Sequence, residues 1–302
     1  MSNRWKVVVA MCATVALAGC GKSTDTVQSN GGGGATVTDQ AQVASVLSNN
    51  PEYVNEDVWE SANDMTMDSP IGAFAAVRPL RFKRVIDDVQ RNVTTEYSQP
   101  DSSGRPTLAL VTVTRRLTGR FILAYGAADS ADTSRGSVAK PLDDLATRKL
   151  LLARVVRGDS AHWRLVGTSG VEVRTNGGQT RIQSVRVQSG GLDTTIVDPL
   201  AMHRLRRILV LRPDTPVTLT VTTGRPDDVV MFYGREMRRR CTNLGNGQHS
   251  FTFPSGRFLG LRHIGVDVLS RGTLFDDQAP YDSDAWMFAI ATLPEMGPVD
   301  RR

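Results

Sequence analysis

Residues 107–114 read TLALVTVT, β-branched and apolar side chains largely alternating, and a pattern of this kind returns along most of the chain. Successive side chains of a strand point to opposite faces, so such a run suits a sheet with a buried side and does not suit a helix. Similar runs lie at 89–97, 117–125, 150–156, 162–167, 171–174, 182–187 and 194–197. Turn-forming clusters separate them, QPDSSGRP at 99–106 and RGDSA at 157–161, where Gly, Pro, Asp and Ser set the backbone angles that turns require. Helical spacing is confined to the start. Val43, Val46 and Leu47 share a face over 39–47, and Val54, Val58 and Trp59 mark a second short helix over 52–62, with Asn49-Asn50-Pro51 between them. The chain is therefore expected to be mainly β, with a mixed α+β part leading it.

Asp198-Pro199-Leu200-Ala201-Met202-His203 reads as a junction. Beyond it strands are expected at 207–211, 217–222, 229–233, 249–253, 259–269 and 285–292, with turns at 212–214, 224–227, 243–247 and 254–256. Six such strands in so short a span come close to the seven or so of an immunoglobulin-like β-sandwich, which the segment resembles. The likeness is to the broad fold, since no Cys…Trp…Cys pattern occurs, and it implies that Trp286 is a core or interface anchor. The helices and long strands before the junction, ending in Trp163-Arg164-Leu165-Val166, resemble the NTF2-like α+β family over about residues 40–175. The expected organisation is a signal segment at 1–19, a flexible tether at 20–38, a mixed α+β domain at 39–198, an Ig-like sandwich at 199–296 and a tail at 297–302. The chain of 302 residues is long enough for two ordinary domains.

The N-terminus carries the most specific motif. Arg4 and Lys6 precede an unbroken apolar run, VVVAMCATVAL at 7–17, about half the length a membrane-spanning helix needs. Leu17-Ala18-Gly19-Cys20 closes it, and the segment resembles the signal class of bacterial lipoproteins. The resemblance implies cleavage before Cys20, acylation of that cysteine, and attachment to a membrane by the lipid. Gly21 after the cysteine, rather than Asp, implies the outer membrane. The stretch from Ala16 to Ser23 also fits a loose phosphate-binding loop. That chemistry needs a helix starting near Lys22, and the TDTVQSNGGGG that follows cannot make one. The Gly-rich sequence reads instead as a coil-like tether.

Net charge is +5, and only five of the 36 basic residues are lysine. An exported lipoprotein rarely meets nucleic acid, so an anionic membrane or wall surface is the available partner, together with an envelope protein or glycan. Cys12 leaves with the signal segment and Cys20 is acylated. Cys241 is then alone, and is read as a small buried hydrophobe.

No catalytic or cofactor motif stands up in the remainder. Gly158-Asp159-Ser160 and Asp159-Ser160-Ala161-His162 imitate two esterase blocks, yet one stretch cannot supply both, and no G-x-S-x-G elbow exists. Arg157-Gly158-Asp159 matches the adhesion tripeptide but sits in an expected hairpin turn. His263 and Asp267 share one strand face, as a base and its orienting carboxylate would, and equally as a half-buried polar pair. Asp276, Asp277, Asp282 and Asp284 crowd one loop and are the candidate Ca²⁺ ligands. Their order is not that of an EF-hand, and the reading preferred is a turn, with the carboxylates fanned to solvent or paired with Arg262 and Arg271. The function expected is a membrane-anchored, non-catalytic binding or assembly module without a cofactor. The alternative is an envelope enzyme or small-ligand binder with a pocket in the N-terminal domain.

Overall fold

The computed structural model describes residues 23–30, 34–53, 65–66, 76–127, 135–158, 160–205, 208–234, 237–257 and 260–293. Cys20, the signal segment, Asp159 and most of the expected second helix lie outside these residues. In chain order the elements are β1 (Ser23–Asn30), α1 (Val37–Ser48), β2 (Met65–Thr66), β3 (Val77–Tyr97), β4 (Leu108–Ala127), β5 (Arg135–Arg157) and β6 (Ser160–Thr175). There follow β7 (Ile182–Ser189), β8 (Leu192–Ile196), β9 (His203–Arg204), β10 (Leu209–Leu211), β11 (Pro216–Thr223), β12 (Val229–Gly234), β13 (Met237–Arg240) and β14 (Thr242–Gly245). The last are β15 (Gln248–Pro254), β16 (Gly260–Leu269), α2 (Arg271–Phe275) and β17 (Ser283–Thr292). The fold is mainly β.

Four long strands, β3 to β6, form an antiparallel meander. Every second residue along them points to one buried face, and most are apolar: Ala109, Val111, Val113, Leu117, Phe121 and Leu123 on β4, and Leu142, Ala146, Leu150 and Leu152 on β5, with charged Arg115, Lys140, Asp144 and Arg148 in the same series. On β3 the buried set is even-numbered at Phe82 and odd-numbered at Val93 and Tyr97. The register slip between Ile86 and Asp88 makes that change without turning the strand over, as a bulge does.

The buried face is covered differently at its two ends. At one, Val43 of α1 packs on Val93, Val111, Leu150 and Trp163. The start of α1 is fixed by Asp39, which closes a capping box with Thr36. Its carboxylate accepts from Thr36 N (2.9 Å), Arg105 Nη2 (2.8 and 2.9 Å) and Trp163 Nε1 (3.0 Å). At the other end Phe82, Phe121 and Leu142 share a core with Met231 and Tyr233 of β12 and with Leu274 and Phe275 of α2. The large sheet runs β1-β3-β4-β5-β6-β17-β16-β12-β13, so this core brings its early and late strands face to face across a curl.

A second sheet, β14-β15-β11-β7-β8, packs on the opposite side of β12, β16 and β17. Val185, Val221 and Phe253 meet Phe232, Val266, Trp286 and Phe288 there. Strand β12 is thus buried on both faces, which explains why VVMFY reads as a continuous apolar run instead of alternating.

Two parts of the expected organisation meet different facts. Within the stretch expected as a tether, Ser23–Asn30 pair in parallel with Val89–Glu96 of β3, and Thr36 already caps α1. STDTVQSN has no apolar face to announce a strand, but backbone pairing to the open edge of β3 needs none. Strand pairing also crosses position 198: β17 pairs with β6, β11 with β7, and the junction's own His203–Arg204 with β6.

Candidate functional site

The acidic loop resolves into separate structural roles. Asp276 Oδ1 accepts from the N–H groups of Gln278 (2.8 Å) and Ala279 (3.2 Å). The Asp282 carboxylate accepts from Gln179 N and Thr180 N at 3.1–3.2 Å, which ties β17 to the turn after β6. Asp284 is fully buried, accepts from Ile182 N at 2.8 Å, and lies 3.9 Å from Arg174 Nε. Burial pushes its carboxyl up to about 7, with Ile182 N–H and Arg174 working against the rise. Among the described residues no group of three or more His, Cys, Asp and Glu side chains could hold a metal ion.

The expected arginine partners are engaged elsewhere: Arg262 donates to Ser255 O, and Arg271 lies over the Phe275 ring. A cation does organise this loop, and it is Lys140. Its Nζ donates to the carbonyls of Gly272 (3.0 Å), Thr273 (2.8 Å) and Asp276 (2.6 Å). Burial lowers this amine to about 8, while Asp276 and Asp277 favour its charge. Nothing local in the sequence signals it, because Lys140 lies on β5, far from the loop in the chain. A polar cavity of about 480 Å³ adjoins the loop and mixes Arg225 and Arg271 with Asp227, Asp276 and Asp282.

The Asp267 carboxylate, expected on one strand face with His263, takes its hydrogen bonds from Arg84 and Tyr233. Asp267 belongs to a sealed cluster inside the curl. Arg84 of β3 donates Nη2 to Asp267 Oδ2 (2.9 Å) and Nε to the Tyr281 hydroxyl (2.9 Å), and Tyr233 donates to Asp267 Oδ2 at 3.1 Å. Tyr281 donates to Asp144 Oδ2 (2.9 Å), Thr175 donates to Asp144 Oδ1 (2.9 Å), and Ser283 Oγ lies 2.7 Å from the Tyr281 oxygen. One cation faces two carboxylates here. Burial raises both, Asp144 to about 6, and Arg84 opposes the rise in each. Cys241 is buried, and burial pushes its thiol up to about 12, as suits an inert core residue.

The candidate site lies where the large sheet forks. Strands β6 and β17 are paired from Val171–Met287 to Arg174–Asp284, and then they part. Beyond the fork β6 takes β9 as its neighbour at Gly167 and Thr168, while β17 takes β10 from Ile290 onward. A cavity of about 290 Å³ fills the wedge between them. Its floor is Thr168, Ser169, Gly170 and Phe288, its sides include Ile196, Pro199, Ala201, Leu209 and Ala289, and its rim carries Thr195, Val197, Asp198 and His203.

Local chemistry makes this wedge apolar. The Thr168 hydroxyl donates to Ser169 O (3.0 Å), and the Ser169 hydroxyl donates to Gly170 O (2.6 Å) while accepting from Lys149 N (2.9 Å). Both hydroxyls are spent on backbone. At Gly170 a Cβ atom would stand 2.6 Å from Met287 O and 2.9 Å from Pro199 O, so only glycine fits at the fork. In comparisons with known proteins no family model matches the chain, and no curated protein or solved structure does either. The site therefore rests on its own geometry. The sequence marked its rim as a junction, 198–203, and gave no sign of its floor, which comes from two strands more than a hundred positions apart.

Proposed function

We propose that the protein is a bacterial envelope lipoprotein, held by an acylated Cys20 after removal of residues 1–19, whose folded body is a non-catalytic binding module. The Leu17-Ala18-Gly19-Cys20 motif and Gly21 support an outer-membrane anchor, with an envelope protein or glycan as neighbour. The fork cavity is the observation that carries the binding role. It is concave and mainly apolar, with a few polar groups at its mouth, as small-molecule sites usually are, and its size is near the lower end of their range of about 300–1,000 Å³. Its buried hydroxyls are committed to backbone carbonyls, which favours holding over chemistry. In finer terms, the curl with α1 on its buried face supports an NTF2-like first unit, and the two packed sheets an Ig-like second one that recruits β7 and β8.

The anchor is tested by Cys20→Ser, which should leave a longer precursor without incorporated palmitate; equal labelling of the two proteins refutes it. The binding role is tested by native mass spectrometry of protein released from its own membranes. Wild type should carry a bound species that Ala289→Phe, whose ring fills the cavity, has lost. Identical spectra from both would remove the cavity as the binding site.

A further inference from the structure

We infer that the fork pocket takes one unbranched hydrocarbon chain, the tail of a single-chain amphiphile whose polar head stays at the rim beside Asp198 and His203. The inference rests on the binding role just proposed and names the ligand's chemistry.

Polarity rises from the floor of the pocket to its rim. Thr168, Ser169, Gly170, Pro199 and Phe288 are buried, whereas Thr195, Val197, Asp198 and His203 are exposed. A polar group pushed to the floor would lose water and find its nearest hydroxyls already bonded to Ser169 O and Gly170 O, a loss that apolar atoms do not suffer. A polar head kept at the rim suffers none of it. Asp198 has one oxygen engaged, Oδ1 accepting from Leu200 N at 2.8 Å, and Thr195 and His203 stand beside it in solvent.

The shape of the pocket also suits a chain. The wedge opens between two strands that have just separated, and Ala201 and Ala289 present only methyl groups to it. A slot of this kind suits a narrow flexible chain better than a fused ring system. Apolar surface continues outside the mouth. Val197, at the rim, is 70% exposed. It extends the apolar path from the cavity to the surface, as a chain longer than the pocket would use.

The experiment is a chain-length series of 1-alkanols, butanol to dodecanol, titrated calorimetrically into the full chain. Each added methylene should lower Kd about fourfold while it enters the pocket. The gain should then stop abruptly, once the tail reaches the floor. Ala289→Phe and Ala201→Phe, checked for an unchanged near-UV spectrum, should move the break to shorter chains or abolish binding. Affinity that climbs without a break, or an absence of saturable binding, overturns the inference. The break is read on wild type, so it decides the matter even where a plugged variant fails to fold. A strand-forming peptide that binds the open edge of β8 while alkanols do not would also overturn it. That result, or a species retained in native spectra without alkanol binding, leaves the binding role itself standing.

Discussion

The long strands β3 to β6 end in two closures of opposite electrical character. At the α1 end a single carboxylate, Asp39, collects donors from Thr36, Arg105 and Trp163. Burial works to raise it, but those hydrogen bonds outweigh burial and hold it well below the usual carboxylate range. At the curled end a single guanidinium, Arg84, serves two carboxylates, Asp267 directly and Asp144 through Tyr281. One closure has donors to spare and keeps its acid ionised. The other is short of positive charge and holds a proton more tightly than water would. The same four strands are thus locked by an anion at one end and a cation at the other, and each lock has its own weakness.

Removing the cation should have the largest effect. Arg84→Met leaves Asp267 buried beside no positive group, and breaking a buried pair in this way costs about 3–5 kcal/mol. Urea unfolding should show a midpoint lowered accordingly. The double variant Arg84→Met/Asp267→Leu should recover much of the loss, since an apolar pair of similar size carries no stranded charge. A loss below about 1 kcal/mol in the single variant would mean that the curl is held by Phe82, Phe121 and Met231 alone.

The legible and illegible parts of this fold divide along the same line. Strands with a plain alternation or a continuous apolar run, such as Val229–Gly234 and Gln248–Pro254, could be read within a residue or two. So could α1, whose cap and apolar face are local. The first half of β3 and most of β5 could not. Val77–Tyr97 carries Pro79 with Arg81, Lys83 and Arg84, and Arg135–Arg157 carries Pro141, Asp143 and Asp144. Charges inside a strand look like loop until a partner is known, and the partners of Arg84, Asp144 and Lys140 come from β16 and from the α2–β17 region. Ser23–Asn30 is hidden for another reason, being held by backbone pairing that leaves no mark on side-chain pattern. The acidic loop was visible as a concentration of aspartates, but the cation that orders it is a lysine on β5.

Asp39→Ala attacks the other closure, and should cost on the order of 2–3 kcal/mol, because it strands the Trp163 indole N–H and the Arg105 guanidinium. The damage should be local. Trp163 is 3% exposed, so its emission should shift to the red as α1 lifts, with the curl unaffected. A global loss without that shift would tie the two ends into one cooperative unit.

The two closures should also answer pH with opposite signs. Asp144, at about 6 when folded, binds a proton in the native state that the unfolded chain has released above its ordinary value near 4. Its contribution is therefore full at low pH and is lost as pH rises from about 4 through 6. Asp284 and Asp228, each pushed up to about 7 mainly by burial, act in the same sense. His249, lowered to about 4 by burial and then by Arg240, acts in the opposite sense over 4–6.5. Asp267, raised by burial as well, acts with them, and four groups against one give stability that falls between pH 4 and 7. Asp39 behaves the other way: its contribution is present above about 4 and is lost only as pH falls toward its folded value. Asp144→Asn should flatten the decline by on the order of 2 kcal/mol across the window, measured from urea midpoints at half-unit steps. An unchanged slope would remove Asp144 from the balance.

The smallest effect separates the two duties of Asp39, capping the helix and fastening it to the sheet. Thr36 acts mainly in the cap, where its hydroxyl accepts from Asp39 N at 3.2 Å and donates to Asp39 Oδ2 at 2.8 Å; it also accepts from Arg105 Nη2, at the longer distance of 3.3 Å. Arg105 and Trp163 hold the Asp39 carboxylate from outside the helix. Thr36→Ala removes one cap acceptor and should cost about 1 kcal/mol, since Asp39 stays bonded to Arg105 and Trp163. Arg105→Met leaves the cap intact and takes away the one cation beside a carboxylate that is itself only 2% exposed. It should cost more than Thr36→Ala, and should carry the Trp163 red shift that Thr36→Ala lacks. If the order is reversed, α1 is held chiefly by its own cap and by the packing of Val43. The α1 closure would then be a local helix property, and the contrast with the Arg84 lock would reduce to one buried charge pair instead of two opposed ones.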